Sequence, residues 1–126
     1  MTEAEREEYF KWYKFYHTHF PDFLLCENIA TVEKDGVLGA AIMVYPIVGS
    51  KLCMYLFITR NPFCDKVFSS YAVDYLVSNL KGLTKSLGYD AFVSVMSEAP
   101  AIARFEKLGV LKFPKPMTTF FGECRV

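Results

Sequence analysis

The chain has 126 residues, 14 Lys+Arg against 14 Asp+Glu, 52% hydrophobic and 17% aromatic side chains. That length gives one domain, residues 1–126, able to bury roughly two thirds of its unfolded surface without disulfides or metals. Zero net charge lacks the Lys/Arg surplus that displaces counterions from nucleic acid, so neither nucleic acid nor an anionic membrane is an expected partner.

The four cysteines, Cys26, Cys53, Cys64 and Cys124, stand singly, with no C-x-x-C pair, and predict a reduced, cytoplasmic chain. The longest apolar stretch, residues 36–49, is interrupted by Pro46 and falls short of the roughly 20 residues that span a bilayer. An acidic start argues against a secretory or transit peptide.

In chain order, Thr2 and Glu5 form a T-x-x-E capping box, and Glu3, Glu5, Glu7 and Glu8 suit a helix N-terminus. A helix is predicted over residues 3–18, closed by Pro21. It holds an unusual density of rings: Tyr9, Trp12, Tyr13, Tyr16 and Phe20 recur at helical spacing, with Phe10 and Phe15 off that stripe. Such a face is usually core. One helix on one sheet should not bury both sides, however, and Tyr and Trp are enriched at protein interfaces. Tyr9, Trp12, Tyr13 and Tyr16 are therefore candidates for contact with another chain or a second copy.

Residues 28–33 and 37–44 read as two strands joined at Asp35-Gly36, whose positive φ angles suit a tight hairpin. Residues 52–59 are apolar at nearly every position, as in a central strand covered on both faces. A helix follows, capped by Asp65 and ended by Gly88, with Phe68, Ala72, Leu76, Leu80, Leu83 and Leu87 at helical spacing. Residues 89–96 read as a strand, 99–108 as a short helix stopped by Gly109, and 117–124 as a last strand. The order α-β-β-β-α-β-α-β is a mixed α/β arrangement, one sheet with helices packed on it.

His17 and His19 are the only histidines, and on a helix their rings point about 200° apart, so no metal site is expected. Pairing of Cys26 with His19 as a nucleophile stays open beside the commoner structural cysteine.

The segment Glu98-Ala-Pro-Ala-Ile-Ala-Arg-Phe-Glu-Lys-Leu-Gly-Val110 resembles the "N-x-x-A-I-x-x-Y-E-K-x-G-F" segment of the GNAT superfamily of acetyl-CoA-dependent N-acetyltransferases. The resemblance covers residues 28–126 and includes the hairpin, the strand at residue 52 and the long helix; the first strand of the family is missing. It implies a GNAT-like fold and marks three departures from the catalytic pattern. Relatives cradle the cofactor pyrophosphate on a "Q/R-x-x-G-x-G/A" loop, where glycine admits the phosphates to backbone N–H groups at a helix N-terminus. Here no glycine occurs between Gly49 and Gly82, and Asp65 brings a negative charge there. Phe105 replaces the Tyr whose hydroxyl protonates the departing thiolate. Glu98 replaces the family Asn, and no Asp or Glu lies between Asp35 and Asp65 to serve as a base.

In being short and lacking the glycine loop, the chain is similar to compact GNAT-like proteins encoded by some tailed bacteriophages. That resemblance implies a non-catalytic binding or assembly module without cofactor, in a host cytoplasm or a virion. The alternative is an acetyl-CoA-dependent N-acyltransferase with an atypical loop. It would use the backbone of Phe57, Ile58, Thr59 and Arg60 for the pantetheine arm, Arg60 and Lys66 for the phosphates, and Glu98 for proton transfer through water. An open cleft between the strands at residues 52 and 89 would favour the enzyme; a cleft plugged by Phe63, Phe68 or Tyr71 would favour the module.

Overall fold

A computed structural model of the chain describes residues 3–16, 28–96, 99–107, 109 and 115. The elements are α1 (Glu3–Tyr16), β1 (Ile29–Lys34), β2 (Val37–Pro46), β3 (Leu52–Arg60), α2 (Lys66–Ser78), α3 (Leu80–Ser86), β4 (Ala91–Ser94) and α4 (Ala99–Lys107). The strands form one mixed sheet in the order β1-β2-β3-β4, antiparallel between β1, β2 and β3 and parallel between β3 and β4. The first four strands and their helices thus follow the predicted α/β order. The predicted strand at 117–124, both histidines, Cys26, Cys124, Thr2, Phe20 and Pro21 lie outside the described residues, as does the side chain of Glu5.

Alternation along β2 divides the core. Ala41 and Met43 face α1, where they pack with Tyr9, Trp12 and Tyr13. Ala40, Ile42 and Val44 face the other way, onto Ala72, Val73, Leu76, Val77 and Leu80 of α2 and α3. Residues 39–44 are all buried, because a strand covered by helices on both faces has no wet side.

This arrangement corrects the interface expected on α1. Tyr9 is 3% exposed, and Trp12 and Tyr13 are fully buried within the chain's own fold. These three rings are core residues. The outer side keeps Phe15 and Tyr16, 60% and 39% exposed. The helix buries three rings because small Ala41 lets them approach the sheet, while its remaining rings lie at the rim.

Asp35 (φ 52°) and Gly36 (φ 79°) supply the paired positive φ angles of the β1–β2 hairpin. The single helix predicted after Asp65 divides at Asn79 into α2 and α3. Asn79 takes φ −102° and ψ 2°, and its side-chain amide donates to the Tyr75 carbonyl at 2.7 Å. Gly88 (φ 89°) closes α3: its N–H donates to Lys85 O and that of Tyr89 to Thr84 O, the paired bonds of a Schellman ending. That cap takes the Tyr89 N–H, and the strand predicted at 89–96 runs only Ala91–Ser94.

Candidate functional site

β3 and β4 pair only from Leu52 opposite Ala91 to Tyr55 opposite Ser94. The Ser94 hydroxyl donates to the Tyr55 carbonyl at 2.7 Å and closes the last rung. Beyond it β3 runs on through residues 56–60, and among the described residues no strand pairs with that stretch on the β4 side.

A bulge accompanies the divergence. Ala41 lies opposite Thr59 and Met43 opposite Leu56, so β3 carries one residue more than β2 over this interval. Phe57 sits there at φ 58°, a left-handed conformation that strains a bulky side chain by about 1–2 kcal/mol. Its ring meets the edge of Tyr13 with centroids 6.3 Å apart, and the Thr59 hydroxyl donates to its carbonyl at 3.0 Å. Further on, the Asn61 N–H donates to Gly39 O at 2.9 Å. Backbone groups alternate sides along an antiparallel strand, so Arg60, opposite Ala40, turns its N–H and C=O away from β2. Phe57, Ile58, Thr59 and Arg60 therefore form one limb of a fork, with Ile58 packed on the α2 side and Thr59 buried.

The end of that limb is locked. Asn61 is buried; its amide donates to Leu38 O at 2.7 Å, and its Oδ1 accepts the Phe63 N–H at 2.9 Å. Both acceptor carbonyls adjoin a bulge in β2, where Glu33 pairs Leu38 and Val32 pairs Ala40, leaving Gly39 between them. A Cβ on Gly39 would lie 2.6 Å from Ala72 Cβ and 2.9 Å from the Phe68 ring. Glycine here is what lets α2 touch the sheet.

Where a phosphate would sit, the loop binds itself. Pro62 has no N–H, and the Phe63 N–H is taken by Asn61. Asp65 caps α2, its Oδ2 accepting the Phe68 N–H at 3.1 Å and its carbonyl the Ser69 N–H at 2.9 Å. A carboxylate already occupies the positive end of the helix, and its charge opposes a second anion. Lys66, exposed, opens α2 beside it. Burial and the Asp65 charge push the Cys64 thiol up, away from thiolate chemistry.

The remaining candidates are dispersed. Phe105 is buried in the core on the α2 side and offers no proton. Arg104, its neighbour on α4, pairs with Asp74 at 2.6 Å. Glu98 lies outside the described residues. Of the rings expected to plug the cleft, Phe63 is 54% exposed against Phe15, Tyr71 is 60% exposed beside Tyr75, and Phe68 lies over Gly39. A groove of about 510 Å³ borders β1 and α3, but its lining includes neither residues 57–60 nor Ser94. Among the described residues no group of three or more His, Cys, Asp or Glu is placed to hold a metal, and no helix is long and apolar enough to cross a membrane.

Sequence reasoning missed Asn61, Ser94, Gly39 and the bulge at Phe57. Asn61-Pro62 signalled a turn, and Gly39 within an apolar run signalled a close approach or bulge. No residue type announces a phenylalanine in the left-handed region.

No protein-family model matches the chain, and no curated protein matches it in sequence. Solved structures do match. An acetyltransferase of Trypanosoma brucei superposes with a TM-score of 0.63 over 96% of each chain at 14% identity. A transcriptional regulator of Bacillus halodurans C-125 gives 0.65 over 96% of each chain at 12% identity. An aminoglycoside N-acetyltransferase in complex with CoA gives 0.58 over 99% of this chain and 92% of its own at 15% identity. At such identities the likeness is one of fold, and the fold of this chain is that of the GNAT N-acetyltransferases.

Proposed function

We propose that the chain is a GNAT-fold binding or assembly module that has given up cofactor chemistry. The observation that carries this reading is the Asp65 carboxylate at the N-terminus of α2, with the Phe63 and Phe68 N–H groups already bonded within the loop. A pyrophosphate would have to displace a bonded carboxylate of its own sign, in a loop without glycine to bring backbone closer. Phe105 in the core adds to this, since no hydroxyl stands at that position to protonate a thiolate. The compact phage-encoded proteins that the chain resembles extend the reading to a role in virion assembly. Calorimetric titration with acetyl-CoA is the test: no heat of binding is expected, and micromolar affinity would overturn the proposal.

One observation favours the second reading, an acetyl-CoA-dependent N-acyltransferase. The fork opens beyond Tyr55 and Ser94, and the Arg60 backbone turns away from β2 toward it. A pantetheine arm would bond residues 57–60 as a partial strand, with Glu98 handling the proton through water. The same titration separates the two readings.

A further inference from the structure

Among the exposed charged residues of α1, Glu3, Glu7 and Glu8 precede Lys11 and Lys14; Arg6, half-buried, lies among the glutamates. With Tyr9, Trp12 and Tyr13 turned to the sheet, Ala4, Glu8, Lys11 and Phe15 share one exposed flank on the Trp12 side, within about 60° of one another at roughly 100° per residue. Their spacing of four, three and four is that of a seam between two helices. We propose that this stripe joins two copies of the chain, with α1 packed antiparallel on its counterpart across a two-fold axis between residues 9 and 10.

That register pairs each residue with the one whose number completes nineteen. Glu8 then faces the partner's Lys11, and by symmetry Lys11 faces the partner's Glu8, giving two opposite-charge contacts at the centre. At each end Ala4 faces the partner's Phe15, a small side chain receiving a ring that is 60% exposed in one copy. A parallel arrangement would set Glu8 against Glu8 and is disfavoured by the same charges. The apolar end is wider than one ring. Phe15 lies edge-on to Tyr16 and to Phe63, with centroids 5.2 and 5.5 Å apart, and the Lys11 ammonium sits 4.7 Å above the Phe63 ring. The loop after β3 thus holds Lys11 near the seam.

The helix is about 21 Å long, fourteen residues at 1.5 Å each. One such face stays below the roughly 800 Å² per partner of a stable interface, so association in the range of about 10–100 μM is expected. This names a partner for the binding role proposed above but stands on this flank of α1 alone, so the acetyl-CoA titration and a self-association assay fail separately.

The experiment is sedimentation equilibrium of the full chain under reducing conditions, with circular dichroism to check that each variant keeps its fold. The wild type is expected to dimerise with rising concentration. E8K and K11E should each weaken dimerisation roughly tenfold or more, because each sets like charges at both central contacts. An equimolar mixture of the two variants, and the E8K/K11E double variant, should recover wild-type association by restoring opposite charges. A chain that stays monomeric to about 1 mM would overturn the proposal. So would a dimer indifferent to the single swaps, or a mixture no tighter than its components.

Discussion

The two halves of β3 are held in different ways. From Leu52 to Tyr55 the strand is a central ladder member, with β2 on one side and β4 on the other. Its polar atoms are answered: Ser94 bonds the Tyr55 carbonyl, and the Tyr55 hydroxyl donates to Thr84 Oγ1, which itself donates to Leu80 O. From Leu56 to Arg60 no described strand replaces β4. That half is positioned by side chains, with Tyr13 against Phe57, Thr59 on the Phe57 carbonyl and Asn61 tied to β2. A strand released from its neighbour on one side keeps its course only if something else fixes it. Here the fixing groups come from α1 and from the bulge in β2, so the shape of the fork depends on elements far from it in sequence.

The sharpest way to break this comparison is at Gly39. Gly39→Val would drive a branched side chain into Ala72 and the Phe68 ring, lifting α2 and shifting the carbonyls that hold Asn61. Overpacking against the Ala72 and Phe68 side chains should cost about 3 kcal/mol, read from the urea midpoint. A loss under about 1 kcal/mol would mean that α2 yields freely and the open half is not held from β2.

How much of this was legible before the structure depends on the kind of signal each residue carries. Asp35-Gly36 marks a hairpin through backbone sterics alone and stands as read; the apolar run at 52–59 is a strand as read, but only Cys53, Tyr55 and Thr59 along it are buried. The burial of Trp12 and Tyr13 is the ordinary reading of such a face; that Tyr9, Trp12 and Tyr13 all fit was not readable, because it rests on Ala41 and Met43 presenting room on the facing strand. Nor was the late start of β4, since the bond that takes the Tyr89 N–H belongs to the α3 cap. Asp65 was read as a helix cap and is one. The pairing of Asn61 with a β2 bulge needed the register itself, which no single segment contains.

A second, smaller effect tests what the open half is for. Asp65→Ala removes the side-chain acceptor of the Phe68 N–H and should cost about 1 kcal/mol by thermal unfolding. A binding module gains no affinity for acetyl-CoA from this change. An acyltransferase with an atypical loop would bind the cofactor more tightly once the opposing carboxylate is gone.

The smallest effect belongs to the closed half and appears only in alkali. Burial holds the Tyr55 phenol well above its ordinary value near 10, at about 12, with Cys53 adding to the rise and the hydrogen bond to Thr84 pulling against it. Between those two values the unfolded chain has released this proton while the folded chain keeps it, so the unfolded state binds fewer protons and stability falls as pH rises. The contribution is complete below pH 10 and is lost on passing through about 12. Tyr55→Phe cannot titrate: it should cost about 1 kcal/mol at neutral pH for the lost bond to Thr84, and show a shallower decline than wild type across this alkaline window. Lysines and other tyrosines titrate there as well, so the quantity to measure is the difference between the two chains in parallel urea melts at each pH. Equal slopes would place the alkaline loss in groups outside the closed half and leave its hydroxyl chain a packing feature with no share in the pH response.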